Sequence, residues 1–178
     1  TLNELVVTDL CLPDATVLTF EVGRSGDLPL ISSPTIDNAA ARARASGLLR
    51  AAVLPNEGRL VIEEGGWTGV GDTVDVALLA AAHGAGITPE GIQENYPLIR
   101  RIPYEPDRKY AASFHRRADK ICVFVKGAPE TLAAMASNMM VGKERVPISR
   151  EEILTQKDAL AAQGLRVLAF AEGEMTTE

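Results

Sequence analysis

The chain has 178 residues, 46% of them hydrophobic and 24% charged, with a formal net charge of -6 and a pI of about 5.0. That length suits one domain with a substantial core, and the acidic balance argues against a general nucleic-acid binder while leaving room for a local basic site. No apolar run approaches the roughly eighteen residues needed to cross a bilayer, and Cys11 and Cys122 lie too far apart for a C-x-x-C or metal-ligand spacing, so both are read as reduced structural thiols.

Thr1 follows no initiator methionine, and nothing near it resembles a secretory signal. The expectation is a segment cut from a longer chain. Residues 4–7 and 16–22 are β-prone and predict two short strands, with a Gly-Arg-Ser-Gly turn at 23–26. Ser32, Ser33 and Pro34 then offer a capped helix start before an Ala-rich run over 36–53, which Pro55 and Asn56 close. Residues 59–64 read as a strand, 65–71 as a Gly-rich stretch, and 73–83 as an apolar helix stopped by Gly84 and Gly86. Thr88 and Pro89 start a short helix that ends near Asn95.

The period then changes. Residues 98–104, 109–116 and 120–125 are short, rich in β-branched and aromatic side chains, and separated by polar breaks, as expected of consecutive antiparallel strands; the break at 116–119 is short enough for a hairpin. Pro129 opens an Ala/Met-rich helix to about Met140, Ser149 and Glu152 have capping-box spacing before a helix ending near Gly164, and 165–171 close as a strand. The sum is an α+β fold, an antiparallel sheet flanked by helices, in a single domain over 1–178 with no repeat or internal linker.

Lys126-Gly127-Ala128-Pro129-Glu130 stands between a predicted strand and a predicted helix. A lysine at such a strand end can direct its ammonium into a cleft, and two small residues after it leave room for a ligand near the backbone; the plain alternative is a surface lysine at an ordinary turn. No G-x-x-x-x-G-K-[ST] loop is present, and residues 66–71 lack the strand-G-x-G-x-x-G-helix order of a dinucleotide site. His83 and His115 are too isolated for metal-ligand spacing, and Trp67 reads as packing or a loop anchor.

Lys126 to Glu130 matches the KGAPE motif of type II and many type III P-type ATPases. Upstream, Ile102-Pro103-Tyr104-Glu105-Pro106-Asp107-Arg108-Lys109 resembles the family segment with an aromatic five residues before a lysine. Gly71-Asp72-Thr73-Val74-Asp75-Val76-Ala77-Leu78 is similar to the family's Gly-Asp-Pro-Thr-Glu-x-Ala-Leu, departing at Thr73, Val74 and Asp75. Gly164-Leu165-Arg166-Val167-Leu168-Ala169 is similar to the arginine-bearing strand that closes the domain, and Thr1-Leu2-Asn3-Glu4 resembles the continuation of the Asp-Lys-Thr-Gly-Thr-Leu phosphorylation signature. In this order the five matches identify the nucleotide-binding (N) domain of a P-type cation pump, calcium-pump-like, without its phosphorylated aspartate.

The resemblance implies specific roles. Adenine would stack on Tyr104, where the family usually has phenylalanine; a core aromatic is the alternative. Lys126, with Gly127 and Ala128, would line the inner pocket and Lys109 its mouth, unless Lys109 is merely a solvated strand lysine. Arg166 would reach the phosphates or else form a surface ion pair. Asp75 and Asp72 would lie near the adenine end, although Asp75 fits equally well as a first-turn helix acid. ATP is then the ligand, with Mg²⁺ accompanying it and held mainly by the absent phosphorylation domain. That domain and the actuator domain of the same parent would be the partners, at the cytoplasmic face of a membrane, with no nucleic-acid or direct membrane contact. The parent would couple ATP hydrolysis to cation transport; this segment would bind ATP, with a dissociation constant on the order of 1 mM, and not hydrolyse it significantly. The alternative is an interaction domain of the same fold that has lost nucleotide binding.

Overall fold

The computed structural model describes residues 5–23 and 26–176. The Thr1–Glu4 match, the start of the strand expected at 4–7, and Arg24 and Ser25 of the expected turn lie outside them. The chain divides into two compact units, Thr1–Glu94 and Asn95–Glu178.

In the first unit, β1 (Asp9–Cys11), β2 (Val17–Glu21) and β3 (Leu30–Ser32) form an antiparallel sheet in that order. Residues 5–8 are not strand, so the first expected strand is displaced toward β1. α1 (Asn38–Val53) follows. Its cap is not the Ser-Ser-Pro signal, because Ser32 is spent on β3; instead the Asp37 carboxylate accepts from the amides of Ala39 and Ala40 at 3.0 and 2.9 Å. Ala41, Ala45, Leu49 and Val53 recur every fourth residue and form one buried stripe against Leu10, Leu18, Phe20 and Ile31 of the sheet.

β4 (Arg59–Glu63) pairs with β5 (Gly66–Val70), a strand within the Gly-rich stretch, where none was expected. α2 (Thr73–Gly84) adds Leu79, Ala81 and Ala82 to the core, and α3 (Pro89–Gln93) starts on Thr88, whose hydroxyl accepts from the Gly91 amide. Gly84 is required at the end of α2: a Cβ there would fall 1.6 Å from the Pro29 carbonyl oxygen.

The second unit contains β6 (Leu98–Glu105), β7 (Tyr110–Arg117), β8 (Lys120–Gly127), α4 (Pro129–Met135), β9 (Asn138–Val141), β10 (Glu144–Pro147), α5 (Arg150–Ala161) and β11 (Ala169–Thr176). Its main sheet is antiparallel with order β11-β8-β7-β6. A two-residue connection, Ala118-Asp119, joins β7 to β8 as expected, with Ala118 at φ 54°. The helix expected to run to Met140 stops at Met135, and 138–147 form the β9–β10 hairpin instead. Ser149 caps α5 as expected, and the first residue of that helix, Arg150, donates from Nε to the Ala133 carbonyl at the end of α4 at 2.9 Å. β11 begins at Ala169, four residues later than expected, so Arg166 precedes the strand. The architecture is α+β, as the sequence predicts.

Candidate nucleotide-binding site

Antiparallel alternation decides which sequence segments meet in the second unit. β6 and β8 run toward the same edge of the sheet, where β7 and β11 start. Tyr104 near the end of β6, Lys109 just before β7, Lys126 and Gly127 at the end of β8, and Arg166 three residues before β11 therefore share one end of the sheet. Ala169 and Tyr110 both pair with Gly127, which fixes that alignment.

Tyr104 lies in a register irregularity between Ile102 and Glu105, where residues 103 and 104 oppose the single residue Ala111. Such bulges re-aim side chains at sheet margins, and Tyr104 is 52% exposed, so it is not the core aromatic of the alternative reading. Ala111 pairs in turn with Lys126. The bulge and Lys126 are thus two strand spacings apart, about 10 Å, with a small residue between them. Lys126 is itself buried, only 7% exposed, whereas Lys109 and Arg166 are exposed.

Residues 105–109 make a tight turn. The Glu105 carbonyl accepts from the amides of Arg108 at 3.1 Å and Lys109 at 2.8 Å, and Lys109 takes the left-handed conformation at φ 58°. The Arg108 guanidinium lies 2.5 Å from the Glu105 carboxylate and 5.9 Å from the centre of the Tyr110 ring. The hydrogen bond to Glu105 holds the Arg108 proton more tightly than usual. Beyond the turn, the Lys109 carbonyl accepts from the Ala128 amide at 3.0 Å. A Cβ at Gly127 would stand 2.4 Å from that same oxygen and 2.8 Å from the Tyr110 Cα.

The acidic candidates belong to the first unit. Asp72 is the N-cap of α2 and accepts from the Val74 amide at 2.9 Å. Asp75 is buried: its Oδ2 accepts from the Glu57 amide at 2.9 Å, and its carbonyl accepts from Asn56 Nδ2 at 2.9 Å. Asn56 Oδ1 accepts in turn from the Gly58 amide at 2.8 Å, which ties residues 56–58 to the first turn of α2.

Within the second unit's sheet lies a polar cluster that sequence reasoning did not find. His115, 1% exposed, has Nδ1 2.8 Å from the Tyr96 carbonyl and Nε2 2.7 Å from the Ser113 hydroxyl. The carbonyl can only accept, so Nδ1 donates and the neutral ring accepts from Ser113 at Nε2. Burial is the largest influence and lowers the imidazole pKa, against the supporting bond to Tyr96. The rings of Tyr96 and Phe124 pack edge-on to it. The period-two spacing of Ser113 and His115 on a strand was the available signal. Among the described residues no group of three or more His, Cys, Asp or Glu is gathered to hold a metal.

Residues 44–178 match the family model described as P-type ATPase, cytoplasmic domain N. The chain belongs to this family. This N domain is 37% identical over 121 residues to a cation-transporting ATPase of Synechocystis, an alignment covering 67% of the chain and 13% of that protein. It is 29% identical over 176 residues to a probable cation-transporting ATPase of Mycobacterium bovis, covering 96% of the chain and 19% of that protein. Against a calcium-transporting ATPase of Listeria monocytogenes the identity is 28% over 181 residues, covering 100% of the chain and 19% of the relative. The N domain therefore spans less than a fifth of the length of these relatives.

Proposed function

We propose that the second unit holds ATP at the sheet end formed by Tyr104, Lys109, Lys126, Gly127, Ala128 and Arg166, and presents its γ-phosphate to an aspartate in a phosphorylation domain of the same parent protein. The observation that carries this reading is the convergence of four separate segments on one end of the sheet. An exposed aromatic at the bulge offers a face to a purine, worth roughly 0.5–1.5 kcal/mol beyond area burial. The cations supply what a triphosphate requires: Lys126 as a buried point charge, Lys109 as an exposed one, and Arg166 with a planar fork suited to phosphate oxygens.

The charge distribution supports the same placement. The segment Asn95–Glu178 holds thirteen Lys and Arg against eleven Asp and Glu, whereas Thr1–Glu94 holds five against thirteen. An anionic ligand is therefore better accommodated by the second unit. A unit charge pair at ~4 Å is worth about 1 kcal/mol in water and about 4 at an effective dielectric of 20, so the enclosed Lys126 contributes more than Lys109. Phosphoryl transfer is mostly positioning and charge stabilisation. In this proposal the N domain supplies the positioning, and Mg²⁺, the acceptor aspartate and cation transport belong to other parts of the parent pump.

Titrating ATP into the 178-residue chain and following backbone and side-chain signals by NMR tests the assignment. Binding with a dissociation constant on the order of 1 mM, moving Tyr104, Lys126 and Arg166 together, is the expected result, and Lys126→Ala should weaken it. If only signals remote from this sheet end move, or if Lys126→Ala binds as before, the assignment is wrong. No binding at all would favour a domain that keeps the fold for interaction alone.

A further inference from the structure

Gly127 and Ala128 are small residues beside a ligand site, and the simplest reason for their size would be room for the ligand. Their surroundings give a different reason. The space where a Gly127 side chain would project is filled by protein: the Lys109 carbonyl oxygen at 2.4 Å and the Tyr110 Cβ and Cα at 2.7 and 2.8 Å. Two of those three atoms are backbone and the third is the rigid first carbon of a side chain, so no rotamer change relieves the contact. The adjacent Ala128 amide donates to the same Lys109 oxygen at 3.0 Å, and Tyr110 is the register partner of Gly127. The residue held in this way is Lys109, in the left-handed conformation at φ 58°.

We propose that Gly127 and Ala128 are positioning residues rather than ligand contacts, forming a backbone latch that fixes the 105–109 turn, and with it the Lys109 ammonium, relative to Lys126. The inference rests on the site proposed above. The turn is closed by the Glu105 carbonyl and held at its exit into β7 by the Ala128 amide. Without the second anchor, the left-handed residue relaxes toward ordinary φ values, which L-residues favour. That rotation carries the lysine stem away from the end of β8. The three-residue run Lys126-Gly127-Ala128 thus has a divided role: the lysine faces the ligand, and the two small residues place the other lysine.

The unmodified chain gives the first test. Because opening the latch is expected to weaken binding about fivefold, ATP at ten times the dissociation constant should slow exchange of the Ala128 amide about fourfold; unchanged exchange overturns the proposal. Ala128→Pro is the second. Its φ of -63° already suits proline, and the following Pro129 already requires the extended ψ it has, 133°. The substitution therefore keeps the local backbone preference but replaces the amide proton with the ring Cδ, which forces the Lys109 carbonyl away and opens the latch. The expected result is a folded protein with ATP binding weakened up to about fivefold, in which adding Lys109→Ala costs less than twofold more, against about fivefold in the parent chain. Gly127→Ala should behave in the same way. A latch that only stabilises the fold would leave the cost of Lys109→Ala equal in both backgrounds, and that result refutes the proposal. Should Lys109→Ala and Lys126→Ala both leave binding unchanged in the parent chain, the site assignment fails first and the latch with it.

Discussion

If the proposed site is right, Lys109 couples a cost in stability to a gain in binding, and the two can be measured apart. A residue with a Cβ in the left-handed region costs about 1–2 kcal/mol relative to its ordinary conformation. Lys109 is exposed, and both of its backbone bonds, to the Glu105 carbonyl and from the Ala128 amide, survive any non-proline substitution. Lys109→Gly removes the conformational cost but enlarges the freedom of the unfolded chain, which takes back about 0.4–1 kcal/mol. The net stabilisation is roughly 0.5–1 kcal/mol, or about 1–4 °C in melting temperature for a chain of this size. Lys109→Ala keeps the strained conformation and loses the charge. Urea unfolding of the three proteins should therefore place glycine above lysine and alanine. In ATP titration, glycine and alanine should both bind more weakly than lysine, by about fivefold, equivalent to about 1 kcal/mol for an exposed cation. Equal urea midpoints for Gly and Ala would refute the strain argument, and undiminished ATP binding by both would remove the reason for tolerating it.

His115 predicts a pH dependence of stability. Its folded pKa lies below the ordinary value of 6.5, so the unfolded chain takes up the proton first as pH falls; stability is complete above about pH 6.5 and declines as pH drops through that value toward the folded pKa. Urea midpoints between pH 7.5 and 5.5 should show this decline, and His115→Gln should flatten it; an unchanged slope would show that other groups cause it. In the first unit, Asn56→Ala strips a bond from the buried Asp75 carbonyl and another from the Gly58 amide, at an expected cost of about 2–3 kcal/mol. A loss below about 0.5 kcal/mol by denaturant unfolding would mean that residues 56–58 do not depend on it.

The elements legible in the sequence were those whose local chemistry is unambiguous: the period-two strands around the 116–119 break, and helices opened by Thr88-Pro89 and by Ser149 with Glu152. The misread elements had competing signals. Gly66-Trp67-Thr68-Gly69-Val70 has two glycines, which are depleted in strands, yet pairing with β4 overrides that preference. Met139 and Met140 favour helix by propensity, but Gly142 at φ 62° turns the chain into a hairpin. Of the proposed site, the motif residues could be named from the sequence, and the antiparallel strand order brings those of the second unit to one sheet end. What no pattern could disclose is conformational or long-range: the left-handed Lys109, the bulge under Tyr104, and the Asn56 and Glu57 partners of Asp75.

The order in which chain segments enter the sheet has its own consequence. β6, β7 and β8 are joined by short turns and bring Tyr104, Lys109 and Lys126 together through local pairing alone. Arg166 comes only with β11, after an excursion through two helices and a hairpin, and β11 touches the sheet along one side as an edge strand. The local pairings form without closing a long loop, whereas the β11–β8 pairing must wait for one. The proposed site is therefore completed in sequence as the chain folds: the part assigned to the purine comes with the local meander, and Arg166 is brought in last by a long-range pairing.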